Sequence, residues 1–117
     1  MQGGFNMWAN YNFSLHSDIM YAIDRHNAIM CGERLTFLDA GILCLVRSFT
    51  ENNRPFFMSN QEMKKLFASD PGTIQRSIDR LIRSGLITKE KEYVNMRQRR
   101  YLIYQPNAVQ QFIEQYR

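Results

Sequence analysis

Cysteine, proline and glycine are scarce in this 117-residue sequence, at two, three and six residues, and each shortage narrows the classes it can belong to. Cys31 and Cys44 have neither a CxxC partner nor histidines at zinc-ligand spacing. A zinc or redox site is therefore not expected, and two reduced thiols in or near the core suit a cytoplasmic protein. No apolar run approaches the roughly 18 residues that cross a bilayer. The start, Met1-Gln2-Gly3-Gly4-Phe5, lacks the basic and apolar stretches of a secretion signal. Gly3-Gly4 stands alone and makes no phosphate loop. His16 and His26 lack ligand partners and are expected in surface or capping roles. Asp18, Asp24 and Asp39 are scattered and mark no two-metal site. With no nucleophile motif either, the sequence reads as a non-enzyme without cofactor or metal.

What remains is an ordinary globular composition, 44% hydrophobic and 13% aromatic, at the length of one domain able to bury its own core. No internal repeat, low-complexity segment or dividing linker interrupts it. The net charge of +4 is unevenly placed. Residues 71–104 carry eight basic side chains against three acidic ones, net +5; residues 1–35 are net −1, and 36–70 and 105–117 are neutral. A localised basic patch attracts polyanions through steering and counterion release. The helical part lacks the bulky apolar face by which helices lie on membranes, so no membrane partner is expected.

Local signals divide the chain into an arm at 1–13, a folded domain at 14–105 and a closing helix at 106–117. Tyr11–Leu15 can form a short strand, and Trp8 and Tyr11 in the arm fit core or dimer contacts, core before dimer. Ser17-Asp18 opens a helix that stops near Asn27 or by Gly32. Thr36–Phe49 is a helix with Thr36 as N-cap and Asp39 in its first turn, and Leu38, Ile42, Leu45 and Phe49 share one face. A polar turn over 50–55 leads to a small strand, Phe56-Phe57-Met58. Ser59 to Glu62 is a capping box, heading a short helix that ends around Ala68. Asp70-Pro71 caps and opens the next, whose Ile74, Ile78, Leu81 and Ile82 face inward, and Gly85 fits its left-handed C-terminal cap. Two strands follow, Leu86–Tyr93 and Arg99–Tyr104, joined by a loop near Val94–Gln98. The last helix carries Val109, Phe112, Ile113 and Tyr116 on one stripe. That stripe can pack on the Thr36–Phe49 helix or pair with a second copy.

The run SNQEMKKLFASDPGTIQRSIDRLIRSGLITKEKEYVNMRQRRYLIY, residues 59–104, closely resembles winged helix-turn-helix domains, with T-I-x-R-x-I-x-x-L-x-x-x-G-L-I as its most telling part. Upstream, LTFLDAGILCLVRSF looks like the first helix of the same domain, and NFSLHSDIM looks like the lead-in strand of plasmid and phage replication initiators. The resemblance spans roughly residues 11–105. It implies a mainly α fold with a small β-hairpin and sequence-specific binding of double-stranded DNA. The implied roles are replication initiation, partition or transcription regulation of a mobile element, with a possible replication or partition partner protein. A homodimer matched to two half-sites is favoured. The end at Arg117 fits a small complete adaptor or the front domain of a longer initiator.

On the recognition helix, Thr73, Gln75 and Arg76 are the candidates for base edges, because arginine can bridge guanine and glutamine adenine. Arg80 and Arg83 lie further along and suit phosphates. Ser59, Asn60 and Gln61 can hold a phosphate at a helix start, and Lys89, Lys91, Arg97, Arg99 and Arg100 make a basic wing. A plainer account makes these charges a solvated surface, with an Asp79–Arg83 pair on the helix and an edge strand guarded against aggregation. One departure from the pattern is Gly72 in the first helical turn, expected to loosen the helix start by up to about 1 kcal/mol. The competing function is a protein-docking module of the same fold; RNA binding is weaker, lacking stacking aromatics on a sheet.

Overall fold

The computed structural model describes residues 16–29 and 33–117. The arm, the Tyr11–Leu15 strand, Trp8, Tyr11 and Cys31 lie outside them. In chain order the described residues form α1 (Ser17–Ile29), α2 (Phe37–Glu51), α3 (Asn60–Phe67), α4 (Pro71–Arg83), β1 (Ile87–Val94), β2 (Arg97–Tyr104) and α5 (Pro106–Gln115). The fold is mainly α with an antiparallel β-hairpin after the helices. No described helix is long and apolar enough to cross a membrane.

The helix ends follow from their caps. Thr36 Oγ1 accepts the Asp39 N–H at 3.0 Å while the Asp39 carboxylate accepts the Thr36 N–H at 2.8 Å, a reciprocal box where only the cap was expected. Ser59 and Glu62 make the same exchange at the head of α3. Asp70 caps α4 by accepting the Thr73 N–H at 3.0 Å, with Pro71 at the first helical position. At the far end of α4, Gly85 takes φ +79°, and the N–H groups of Gly85 and Leu86 bond to the Ile82 and Leu81 carbonyls. A residue with a Cβ would be strained there.

α2 is the axle of the domain. The sequence pattern gives it one apolar face, yet every residue from Asp39 to Val46 is buried. α1, α4 and β2 all pack on it. Gly41 makes part of this closeness possible: a Cβ there would stand 2.9 Å from the Phe67 ring at the end of α3. α1 is fastened in front of it by Asn27, whose side-chain amide bonds both the N–H and the C=O of Leu35. α5 packs on α1, rather than on the Thr36–Phe49 helix, through the stripe that buries Val109, Ile113 and Tyr116. There His26 is buried, not a surface residue: Nδ1 lies 3.1 Å from the Tyr116 hydroxyl and Nε2 3.3 Å from the Glu33 carbonyl.

The hairpin is longer and tighter than its sequence suggests. Val94 pairs with Arg97, leaving only Asn95 and Met96 as a two-residue turn in place of the loop expected over Val94–Gln98. Both turn residues are left-handed, at φ 53° and 67°, so the turn suits the twist of the flanking strands. For a methionine that conformation costs about 1–2 kcal/mol. The expected strand over Phe56–Met58 is reduced to one bridge, in which Leu102 donates its N–H to the Phe56 carbonyl at 3.1 Å.

α4 is tied to α2 by a buried ion pair. The Asp39 side chain is 0% exposed, and it accepts Arg80 Nε and Nη2 at 2.9 and 3.0 Å. The Ser77 hydroxyl, also fully buried, donates to the same carboxylate. Arg80 thus turns back on the domain, instead of standing outward as its place on the helix suggests. Removing one partner of such a pair leaves a buried charge uncompensated. Arg80→Ala should lower the unfolding free energy by about 3 kcal/mol or more, whereas the exposed Arg76→Ala should stay within about 0.5 kcal/mol; urea denaturation of the two variants checks this.

Candidate nucleic-acid interface

Between α3 and α4 the chain turns over Ala68, Ser69 and Asp70, with Ala68 left-handed at φ 54°. The turn sets α4 across α3 and leaves the first turns of α4 facing outward. Asp70, Thr73 and Arg76 form a ladder there: the Thr73 hydroxyl donates to Asp70 at 2.8 Å, and Arg76 Nη2 donates to the same hydroxyl at 3.0 Å. The Thr73 backbone N–H and then the Thr73 hydroxyl, both donating to it, hold the Asp70 carboxyl below the usual carboxylate range, so the cap stays charged. Gly72 belongs to this arrangement. A Cβ would sit 3.2 Å from Asp70 Oδ1 and 3.6 Å from Arg76 Nη1. The looseness expected from Gly72 is offset by the cap and proline beside it, and its missing side chain leaves room for both.

Gln75 belongs to a second line of bonds that crosses three elements. Its amide donates to Asp79 at 3.0 Å and accepts from Asn60 at 2.9 Å. Asn60 in turn accepts from Arg100 Nη1 at 2.9 Å, and Arg100 Nη2 reaches the Met58 carbonyl at 2.9 Å. The start of α3, the outer face of α4 and the wing are therefore one polar surface. Arg100 is the unusual member. Both its partners are neutral, and burial pushes its guanidinium below the usual value. It is a partly desolvated cation without a carboxylate.

The wing has two chemically distinct faces. Side chains alternate along a strand, so β1 sends Ile87, Lys89, Lys91 and Tyr93 one way and Thr88, Glu90, Glu92 and Val94 the other. Opposite the first set the register places Tyr104, Leu102, Arg100 and Gln98. That face is buried at its base by Ile87, Leu102 and Tyr104. Further out it carries Lys89, Lys91 and Arg100 and no acid. The other face holds Glu90, Glu92, Arg97 and Arg99, where Arg99 lies 3.8 Å from Glu92 and 3.7 Å over the Phe57 ring. The sequence pattern K-E-K-E contains this division, although counting charges along the hairpin hides it.

Other residues expected at the interface are differently engaged. Arg83 pairs with Glu33, not with Asp79, and the pairing lowers the Glu33 carboxyl below its ordinary range. The Ser59–Glu62 box occupies the Ser59 N–H and brings a carboxylate to the helix start, which leaves Asn60 and Gln61 as the better donors there. Between the wing and α3 lies an open groove of about 300 Å³ lined by Phe57, Ser59, Asn60, Gln98, Arg99 and Arg100. Among the described residues no three His, Cys, Asp or Glu side chains converge as metal ligands.

Three helices with a tight turn between the second and third of the core, followed by a hairpin, define a winged helix-turn-helix. Residues 33–87, from the approach to α2 through the first residue of β1, match the model of a helix-turn-helix domain family. No curated protein and no solved structure matches the chain. Arg100→Met should leave stability within about 1 kcal/mol, since no buried carboxylate is orphaned. It should also lower the slope of log K against log[salt] by about one for any duplex; urea denaturation and a salt titration read the two effects.

Proposed function

We propose that this chain binds double-stranded DNA with sequence specificity, α4 entering the major groove and the lysine face of the wing following the backbone. The observation that carries this reading is the acid-free strip of Lys89, Lys91 and Arg100, joined through Asn60 and Gln75 to the outer face of α4. Three cations with no local counter-charge, one of them partly desolvated, suit a line of phosphates. Thr73, Gln75 and Arg76 are assigned to base edges, where a guanidinium and a carboxamide at the start of a helix can read guanine and adenine. Gln75 has to exchange its Asn60 and Asp79 partners for a base, which makes it a conditional reader; Arg76 gives up only a hydroxyl. Asn60, Gln61, Lys89, Lys91 and Arg100 are assigned to phosphates. Ser59, Arg83, Arg97 and Arg99 are secondary contacts, and Arg80 acts by holding α4 in place through Asp39.

Within this reading the protein serves replication initiation, partition or transcription regulation of a mobile element, as the resemblance over residues 11–105 implies. Two copies on paired half-sites suit the class. The α5 stripe does not argue for such a pair, since it is covered by α1 within one chain.

Selection of bound sites from random duplexes, followed by salt titration on the recovered site, tests the proposal. Affinity should fall linearly in log–log form with a slope reflecting several phosphates. Arg76→Ala should cost about 1–3 kcal/mol and relax the selected sequence at one position. Lys89→Ala with Lys91→Ala should lower the slope by about two, while Glu90→Ala with Glu92→Ala should not weaken binding. A protein that docks other proteins through this fold would show no duplex affinity to titrate.

A further inference from the structure

The tip of the wing carries a side chain that its backbone disfavours. Two-residue hairpin turns of this hand need φ > 0 at both positions, so they take asparagine or aspartate first and glycine second. Asn95 meets the first requirement. The second position is Met96, at φ 67° and 95% exposed. Strain of this kind persists where the surroundings impose it or where the side chain has a use. The Val94–Arg97 pairing imposes that backbone, but nothing packs on the methionine side chain, so a glycine would serve the turn better. Tyr93, 76% exposed, stands just before the turn on the lysine face, and Arg97 just after it is exposed. Large exposed apolar groups elsewhere on the described surface sit in unstrained helices.

The position of the tip suggests what the methionine meets. Arg100 and its partner Lys91 mark the level at which the wing touches the start of α3. From there the hairpin runs three more residues to Val94, roughly 10 Å at the rise of a strand. If α4 lies in the major groove and the lysine face along the phosphates, as proposed above, a tip standing that far out points past the backbone toward the neighbouring minor groove. Unbranched apolar side chains such as methionine are among those that press between base steps there.

We propose that Met96 is a minor-groove wedge, with Tyr93 and Arg97 flanking it, on the same duplex that α4 reads; the inference rests on the DNA-binding reading above. The test uses the full chain and the duplex recovered by selection, with wild type, Met96→Gly and Met96→Leu compared by fluorescence anisotropy and thermal unfolding. Glycine relieves the turn, so M96G should unfold at the same or a higher temperature and yet bind about tenfold more weakly. Its salt slope should equal that of wild type, because no phosphate contact is lost. M96L should bind within about twofold of wild type, since it keeps an apolar wedge. If wild type binds with salt dependence and M96G binds equally well, Met96 is no wedge, and a changed solution mass for M96G would then point to a contact between copies instead. If wild type binds no duplex at all, the DNA-binding reading has failed first.

Discussion

A carboxylate with no exposed surface has to be surrounded by donors, and the domain is organised around meeting that demand. Asp39 receives the Thr36 N–H at the head of α2, the Ser77 hydroxyl, and both arms of the Arg80 guanidinium. Thr36 and Asp39 start α2; Ser77 and Arg80 lie on α4. One ionised group therefore fixes both where the central helix begins and how the exposed helix is rotated about its own axis. Apolar packing alone constrains that rotation weakly, because Ile74, Ile78 and Leu81 form a stripe that tolerates some rocking. A bidentate guanidinium–carboxylate pair has one good geometry. With Arg80 held inward, Thr73 and Arg76 are left on the outer side, and Gln75 is left within reach of Asn60.

The division of labour among the arginines follows from what each one faces. Arg80 meets a buried carboxylate and becomes structural. Arg83 meets an exposed carboxylate, Glu33, in a pair that solvent screens. Arg99 meets both Glu92 and the face of Phe57. Arg76 bonds a neutral hydroxyl, with the Asp70 carboxylate one step beyond it, and Arg100 bonds only neutral oxygen. A polyanion competes poorly for the first kind and well for the last. Identical residue types on one basic segment thus differ in their availability to a ligand, and the difference lies in partners far away in sequence.

That separation also marks what the sequence makes legible. The Ser59 box, the Asp70-Pro71 start, the Gly85 cap and the buried isoleucines of α4 are all written within four or five residues, and each is found where its local signal puts it. Arg80 looked outward because helical spacing alone leaves it opposite Ile74 and Ile78; its partner stands 41 residues earlier. The burial of α2 on all sides was hidden for the same reason, since a run such as Ala40–Val46 carries no periodicity to read. His26 is another such case, bonded to a tyrosine 90 residues on. The hairpin differs for another reason. Asn95-Met96 lacks the glycine that announces a two-residue turn, so the sequence suggests a longer loop and a shorter second strand.

The wing shows how register converts composition into direction. A net charge of +5 over residues 71–104 has no side to it. Once Lys91 is opposite Arg100 and Glu92 opposite Arg99, the strands sort their charges: lysines lie with the buried base of the sheet, and glutamates lie on the face bearing Arg99 and Phe57. A one-residue slip of β1 would exchange the faces and bring Glu90 and Glu92 beside Arg100. The turn type fixes that register, because a two-residue loop allows only one pairing of Val94 with Arg97. The strained Met96 backbone is thereby coupled to the charge pattern. Any substitution at the tip that lengthened the loop by one residue would disturb the cationic strip along its whole length.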